Sequence, residues 1–476
     1  MDSANLKTES LNSSLASTLW TSPVEDSFSF VNFSSEHISS LQESGPFLSF
    51  VLSYWDNILG PRLRHVWLGP CEQIAQENCV KYIVSRTLSG ELLRDAPENM
   101  VDTKLFILKE KDIVCHSFIF TGKDKSGNNI SAFSLIIPYL EFKNYLPFVE
   151  LVEERFKILI AKLRVLQTKE LSTACSKFSV YLPRFIQTII SLQNAAIPEE
   201  IQLSETALRP GQDNEPFDKI FLRRAITSHL QTFGSTLVIG LSAERVNLMV
   251  NTLGLFLSQE ERNRSRYAVE SKEKLHDVYD PDLYVQGLLK DEDGSFALPV
   301  KGIITSQFPS TLIDVDKMEV KQTCPYHEHC VIRQEFLDIE LALLWENQED
   351  APVYPSLGLF HPMDDIGLFV QTLMNDASLL PAVCDVRQGF ISSFLRVLDR
   401  KALALIKYVE AKSSKGSVSF EHTTIRQLKH DLQLTTEADF SIVLVRAEKH
   451  KPGLYSFLMG DPRYSVARVQ DILESL

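Results

Sequence analysis

Two proline-bearing stretches interrupt the chain, and they limit the size of any unit that can fold as one piece. The first covers residues 198–218 and is acidic, and the second covers residues 349–375. Proline has no backbone N–H to donate, so it rarely continues a helix or a central strand. We interpret both stretches as linkers or loops. Their prolines are Pro198, Pro210, Pro216, Pro352, Pro355 and Pro362.

The two linkers leave three folded units and an N-terminal tail. The length of 476 residues also favours roughly three domains. The sequence predicts a disordered, serine-rich tail over residues 1–45, with ordered structure beginning near Phe47. The predicted units cover residues 46–197, 219–348 and 376–476.

The first unit has the pattern of an antiparallel sheet followed by helices. A run rich in β-forming residues, Phe47–Trp55, precedes a Gly-Pro turn and an alternating strand over 62–67. Further strands are predicted over 103–108, 113–120 and 130–137, and helices over 147–166 and 182–192. This order predicts an α+β unit.

The second unit alternates helices with short apolar strands, which indicates an α/β core. Strands are predicted over 235–240, 283–289, 296–300 and 311–315, and helices over 221–232, 242–257 and 331–345. Ser242 is a favourable N-cap for the middle helix. The third unit is mostly helical, with its longest amphipathic pattern over 389–412. The predicted fold class is therefore a multidomain α+β and α/β protein that ends in helices.

Charge and composition exclude several classes of protein. Lys and Arg number 48 and Asp and Glu number 62, giving a formal net charge of −14. An acidic chain lacks the basic surface that binds nucleic acid or an anionic membrane leaflet. The sequence has no signal-peptide pattern and no apolar run of about 18 residues, so we expect membrane contact only by recruitment. Seven irregularly spaced cysteines indicate reduced thiols in an intracellular compartment.

The sequence contains none of the common catalytic or phosphate-binding motifs. G-x-x-x-x-G-K-[ST], G-x-G-x-x-G, H-E-x-x-H and G-x-S-x-G are all missing. Gly240–Ser242 supplies only one glycine of a phosphate loop, so we interpret it as a helix start. Cys324–Cys330 carries four potential zinc ligands too crowded for a tetrahedral site, and we interpret it as a polar loop before a helix. Asp314 and Asp316 are interpreted as a solvated strand face. No catalytic residue, cofactor or metal is assigned.

Several sequence segments carry a resemblance to a known family. The first is Tyr54–Arg62, followed by Arg64-His65, and the most specific is Val285–Asp291 followed by Gly294–Phe296. Shorter matching segments include Leu88–Glu91, Tyr145–Pro147, Pro198–Ile201, Ser228–Thr232, Ile313–Asp316, His327–His329, Arg400–Leu403, Leu405–Tyr408 and Lys451–Leu454. On these residues, in order over about 47–465, the chain resembles the chromosome-9 open-reading-frame-72 family. That family is a divergent branch of the DENN-domain proteins. The chain looks like a distant orthologue within it.

The resemblance implies an architecture, partners and a location. It implies a longin-like upstream DENN module, an α/β core DENN module and a helical downstream DENN module. It implies a complex with a second DENN protein, the Smith–Magenis chromosome-region candidate protein, and with a WD-repeat protein. Such complexes act on Rab and Arf small GTPases in autophagy, lysosome and endosomal trafficking. The implied location is cytoplasmic, with recruitment to lysosomes, endosomes and autophagosomes, and a nuclear pool is also allowed.

Three functions remain open under this resemblance. The first hypothesis is a GTPase-activating complex whose partner chain supplies the arginine that stabilises phosphoryl transfer. The alternatives are nucleotide exchange on Rab GTPases, and a non-catalytic scaffold that stabilises and targets the DENN partner. The residues predicted to contact the GTPase are Tyr54, Trp55, Asp56, Arg62 and Arg64. Trp55 could equally belong to the core.

Overall fold

Two β-sheets organise the chain in this computed structural model. The structure describes residues 38–70, 77–89, 100–124, 127–169, 171–209, 216–270, 278–346, 358–381, 383–413 and 422–459. The strands are β1 (Ile38–Ser40), β2 (Ser49–Asp56), β3 (Gly60–Leu68), β4 (Val101–Leu108), β5 (Ile113–Asp124), β6 (Gly127–Pro138), β7 (Thr236–Gly240), β8 (Val285–Leu289), β9 (Thr311–Asp314), β10 (Glu319–Gln322) and β11 (His361–Pro362).

Helices cover both sheets and make up most of the C-terminal part. They are α1 (Glu77–Leu88), α2 (Phe142–Tyr145), α3 (Val149–Gln167), α4 (Leu171–Phe178), α5 (Leu182–Asn194), α6 (Lys219–Gln231), α7 (Ala243–Gly254), α8 (Gln259–Asn263), α9 (Val300–Thr305), α10 (Tyr326–Trp345), α11 (Leu368–Leu379), α12 (Cys384–Ser413), α13 (His422–Asp431), α14 (Glu437–His450) and α15 (Leu454–Met459). Among these helices, none combines the length and the apolar character needed to cross a membrane.

The first sheet has six strands in the order β1-β3-β2-β6-β5-β4. All its neighbouring pairs are antiparallel except β1 with β3. Successive side chains of a strand face opposite sides, so Phe50 and Leu52 enter one core while Val51 enters the other. Helices α3, α4 and α5 cover the first of these faces and α1 covers the second.

Aromatic side chains fill the core under α3, α4 and α5. Trp67 is fully buried, and its Nε1 donates a hydrogen bond to Ser179 Oγ at 2.6 Å. Phe118 and Phe156 stack with ring centroids 4.7 Å apart. Each large apolar side chain buried in this way contributes roughly 1.5–3 kcal/mol. This core therefore fixes the position of β2 and β3, which carry the predicted contact residues.

The second sheet has five strands in the order β11-β10-β9-β7-β8. Strand β7 lies between β9 and β8, is buried along its whole length and pairs in parallel with both. A short, continuous apolar strand is typical of a parallel sheet covered on both faces. Val238 packs with α6 and α7 on one face, whereas Leu237 and Ile239 pack with Tyr279 and Ile303 on the other.

The C-terminal helices enclose a third core. Leu405 of α12 packs with Val443 and Leu444 of α14, and Leu458 of α15 joins them. Phe233, just after α6, belongs to the same cluster, so the helical part is joined to the second sheet. The fold is thus a mixed α/β structure with two mixed sheets and many helices, as the sequence predicted in outline.

Several elements differ from the sequence-based expectation. Order begins before Phe47, because β1 lies inside the predicted 1–45 tail and pairs with β3; residues 1–37 lie outside the described residues. The strand predicted over 296–300 is wrong. Phe296 packs against the apolar cluster of the second sheet instead, and Pro299 precedes α9 directly. The predicted loop over 349–375 contains β11 and the start of α11.

Candidate functional site

The predicted contact residues lie around one end of the β2–β3 hairpin. In its register Tyr54 is opposite Arg62, and Asp56 is opposite Gly60. Residues 57–59 form the turn between the strands. Gly60 has a φ of 75°, a left-handed conformation that glycine adopts without the strain caused by a Cβ. The predicted Gly-Pro turn is therefore the tip of a hairpin.

Asp56 fixes the conformation of this tip. Its Oδ1 accepts hydrogen bonds from the backbone N–H groups of Leu59 at 2.9 Å and Ile58 at 2.8 Å, as in an Asx turn. These bonds lower the pKa of Asp56 below its ordinary value, so the carboxylate is ionised at neutral pH. Ile58 is 92% exposed and Leu59 is 50% exposed. The tip therefore presents two apolar side chains beside a fixed negative charge.

The two predicted arginines differ in accessibility. A register shift between Leu52 and Ser53 leaves Arg64 without a residue directly opposite it, as in a β-bulge. The guanidinium carbon of Arg64 lies 4.3 Å from the centroid of the Tyr54 ring, within cation–π range. Arg64 is only 7% exposed, whereas Arg62 is half-buried. The hairpin thus brings Tyr54, Arg62 and Arg64 together.

Trp55 stands apart from this group. It is half-buried and packs against the apolar cluster under α1, as Leu63 does. Trp55 therefore combines a core contact with partial exposure, the two roles that the sequence left open. The assignment of these hairpin residues as partner contacts stays a prediction.

A buried charge cluster lies at the carboxyl ends of the parallel strands in the second sheet. The Lys290 side chain is 3% exposed, and its Nζ lies 2.6 Å from Asp314 Oδ1 and 2.9 Å from Asp316 Oδ2. Burial disfavours the charged lysine, but the hydrogen bonds that its ammonium group donates to both aspartates, together with their negative charge, outweigh this effect and raise the pKa of Lys290. The predicted solvated face is therefore wrong, because the end of β9 and the turn after it place both carboxylates on this ammonium group.

The strand–helix junction at Gly240–Ser242 is closed to a phosphate group. The backbone N–H of Leu241 donates to Asp316 Oδ2 at 2.9 Å. A Cβ on Gly240 would lie 2.5 Å from Val315 Cγ2, so the glycine permits the close approach of Val315, the residue that follows β9. Ser242 is the N-cap residue of α7, as predicted, although its side chain makes no capping bond.

The Cys324–Cys330 segment also has a structural arrangement. Because α10 begins at Tyr326, most of the segment is the first turn of a helix and not a loop before it. His329 is buried, with Nε2 lying 2.8 Å from the carbonyl oxygen of Ser306, and burial lowers its pKa. Within the described ranges, no three His, Cys, Asp or Glu side chains converge as metal ligands would.

The fold and the hairpin tip together define a mixed α/β protein whose candidate site suits contact with another macromolecule. Comparison with known proteins identifies its family. The model of the C9orf72-like protein family matches residues 82–329. A Homo sapiens relative, guanine nucleotide exchange factor C9orf72, is 36% identical over 467 residues, covering 91% of this chain and 96% of the relative. The Mus musculus and Rattus norvegicus homologues of that protein are each 35% identical with the same coverage. The chain belongs to the C9orf72-like family, which confirms the predicted resemblance.

Proposed function

We propose that the chain regulates small GTPases of the Rab or Arf class by accelerating the release of their bound nucleotide. Relatives that align with 91% of the chain are named guanine nucleotide exchange factors, and this observation carries the proposal. An exchange factor needs no catalytic side chain that makes or breaks bonds. It must bind the nucleotide-free GTPase more tightly than the loaded form, a task for a shaped surface.

The β2–β3 tip is the proposed contact surface. Small GTPases hold their nucleotide with switch segments that change between ordered and released arrangements. The exposed side chains of Ile58 and Leu59 offer apolar area to a displaced switch segment. Asp56 holds the turn in one conformation, so little entropy is lost when the tip binds. Tyr54 and Arg62, at the base of the tip, widen the same surface, with Trp55 and the stacked Arg64 supporting it.

We propose three DENN modules on the boundaries taken from the sequence. Strands β2 to β6 and helices α1 to α5 fall within 46–197, which corresponds to the longin-like module. Strands β7 to β10 fall within 219–348, which corresponds to the core module. Helices α12 to α15 fall within 376–476, the helical downstream module. The element order supports this division.

The chain is proposed to work as a subunit of a heteromer. In the described part of the chain β4 pairs only with β5, so its other edge can accept a strand from another protein. Leu105 and Ile107 of β4 are each 42% exposed. We assign this edge to a DENN-family partner, the Smith–Magenis chromosome-region candidate protein, in a complex that also holds a WD-repeat protein.

A GTPase-activating complex is the second candidate function. An activator supplies an arginine to the transferring phosphoryl group. Arg64 is 7% exposed and stacks on Tyr54, so it is poorly placed to reach a nucleotide. Activation through this tip would therefore not use Arg64, and the hypothesis taken from the family resemblance assigns the arginine to the partner chain. A scaffold role that stabilises and targets the DENN partner is the third candidate.

The proposed location follows from this role. Rab and Arf proteins act on membrane surfaces, so we propose a cytoplasmic protein recruited to lysosomes, endosomes and autophagosomes, with a nuclear pool as a further site. Autophagy and endosomal trafficking are the proposed processes.

Parallel measurements of nucleotide release and phosphate release test these proposals. The full chain, alone and with its DENN partner, is mixed with a panel of Rab and Arf proteins carrying fluorescent GDP. We expect faster GDP release from at least one GTPase, and about tenfold slower release with Ile58→Asp, because a charged tip cannot pack on an apolar switch segment. Leu140→Asp, at another apolar site that is 88% exposed, is the matched control.

Each outcome separates the candidates. An unchanged rate with Ile58→Asp, beside an active wild-type chain, removes the tip as the contact surface. Faster phosphate release that requires the partner replaces exchange with the activating complex. If neither rate changes across the panel, the exchange proposal fails and the scaffold role remains.

A further inference from the structure

A cavity of about 710 Å³ lies between the helices of the first sheet and elements of the second. Helices α3 and α5 form one wall, and residues 298–302 with α10 form the opposite wall. Sites for small organic molecules have volumes of about 300–1,000 Å³. The cavity is therefore large enough for a ligand with an extended carbon skeleton.

The apolar part of the wall comes from both sides. Ile158 and Leu159 of α3 and Leu337 of α10 line the cavity. At its rim Val180 is 74% exposed and Leu298 is 42% exposed. A ligand with an apolar body would remove this area from water, which is the main source of affinity in such sites.

Two lysines at the cavity are neutralised in part by one buried carboxylate. Glu340, with a side chain 9% exposed, lies 3.0 Å from Lys162 Nζ and 2.9 Å from Lys301 Nζ. One negative charge between two positive charges leaves this part of the wall with a net charge of +1. The lysines therefore favour a negative ligand without being its direct anchor.

Arg184 of α5 offers hydrogen-bond donors to the anionic group of such a ligand. One of its guanidinium nitrogens donates to the carbonyl oxygen of Tyr279 at 2.8 Å, and none of the described residues forms an ion pair with it. A guanidinium group carries five N–H donors in a fixed fork that fits carboxylate or phosphate oxygens. Arg155, which also lines the cavity, is already paired with Asp282 at 3.4 Å. Arg184 thus keeps donors available beside the apolar wall.

We propose that this cavity binds a small amphiphilic anion. Its carboxylate, sulfonate or phosphate group would lie on Arg184, and its apolar body would lie between Ile158 and Leu298. Such a ligand contacts α5 and the 298–302 segment at once, so binding stabilises the contact between the two sheets. This site is separate from the β2–β3 tip and does not depend on the proposed exchange activity.

Fluorescence titration of the full chain with 8-anilinonaphthalene-1-sulfonate tests the site, because this probe combines an apolar aromatic body with an anionic group. We expect saturable binding. Leu298→Trp fills the cavity and should weaken binding by at least about tenfold. Arg184→Gln should weaken the binding of the sulfonate probe by about tenfold. The same variant should leave the affinity for the uncharged probe N-phenyl-1-naphthylamine unchanged. Val383→Trp, at a 50% exposed position outside the cavity, is the control.

The outcomes decide the proposal whether or not one variant folds. Ile158→Trp narrows the cavity from the opposite wall and must reproduce the effect of Leu298→Trp in a variant with a normal melting temperature. Equal sulfonate affinity in wild type and in both tryptophan variants would overturn the site. An equal loss for charged and uncharged probes in Arg184→Gln would overturn the anionic ligand class. Displacement by decanoate indicates an acyl chain, and displacement by 1-naphthyl phosphate a soluble aryl anion; displacement by neither contradicts the proposal.

Discussion

At the scale of single residues, a buried histidine makes the stability of the fold depend on pH. His116 of β5 is 1% exposed, and its Nδ1 lies 2.7 Å from the hydroxyl oxygen of Tyr145. Its Nε2 lies 3.6 Å from a carboxylate oxygen of Glu153. Burial lowers the pKa of His116 to about 4, against about 6.5 in an unfolded chain. Between these values the unfolded chain binds a proton that the native chain does not, so stability falls as the pH falls.

We expect His116→Gln to reduce this pH dependence. Through His116 the wild-type chain should lose about 2 kcal/mol of unfolding free energy between pH 7 and pH 5. The variant, although less stable at pH 7, should lose less over the same interval. Urea unfolding at pH 7, 6 and 5 measures the slope. His430→Gln, at a side chain 90% exposed, should keep the wild-type slope, and an unchanged slope in His116→Gln would contradict the assignment.

Half of this histidine's environment could be predicted from the sequence. The strand predicted over 113–120 alternates sides, so Val114, His116 and Phe118 share one face, and that face is the core. The burial of His116 follows from this pattern. Its hydrogen-bond partner Tyr145 is 29 residues further along the chain and could not be predicted, because the pairing depends on how α2 packs over the sheet.

At the scale of elements, two serines begin helices with different energetic consequences. Ser258 begins α8 with a capping box: its Oγ accepts from the N–H of Glu261 at 3.2 Å, and Glu261 Oε2 accepts from the N–H of Ser258 at 2.8 Å. Ser242 is the N-cap residue of α7 without such a bond. We expect Ser258→Ala to cost about 1 kcal/mol and Ser242→Ala less than about 0.5 kcal/mol. Chemical denaturation measures both, and equal losses would contradict the capping role.

The same two serines explain which elements a sequence can reveal. Ser258 and Glu261 have the S-x-x-E spacing of a capping box, so this helix start is readable locally. Strand β1 is not, because it has three residues and exists only through parallel pairing with β3. Lys290 is likewise invisible as a partner of Asp314, because 24 residues separate them. Local patterns define helices and hairpins, whereas parallel pairing and buried ion pairs depend on distant segments.

At the scale of the whole molecule, the sheets share packing that a division into separate units does not anticipate. Leu283, from the second predicted unit, is buried in the core of the first sheet, and Leu344 of α10 packs against that core. From the prolines, the sequence predicted linkers over 198–218 and 349–375 that separate three folded units. The same stretches could not predict that residues from different units pack in one core, because that contact has no local signature.

The ion pairs of Glu340 join the same two parts of the molecule. Glu340 of α10 forms ion pairs with Lys162 of α3 and Lys301 of α9. Burial disfavours its charged form, but the attraction of Lys162 and the hydrogen bonds from both lysines outweigh burial and lower the pKa of Glu340. A carboxyl group with a lowered native pKa stabilises the fold above its unfolded pKa, and this contribution is lost as the pH falls through the native pKa.

Glu340→Gln should therefore destabilise the whole molecule in a pH-dependent way. Removing the charge leaves two neighbouring ammonium groups without their shared carboxylate, which costs about 1–3 kcal/mol after allowance for the partial exposure of Lys301. In a chain of this size, each kcal/mol of lost unfolding free energy lowers the melting temperature by at most about 2–4 °C. The melting temperature at pH 7 should therefore fall by a few degrees. Glu335→Gln, at an exposed site on the same helix, should leave it unchanged. The difference between wild type and Glu340→Gln should shrink below about pH 4, as the wild-type carboxyl group becomes protonated. A difference that persists undiminished at low pH would mean that the glutamine disturbs packing, and that the charge of Glu340 does not hold the two parts together.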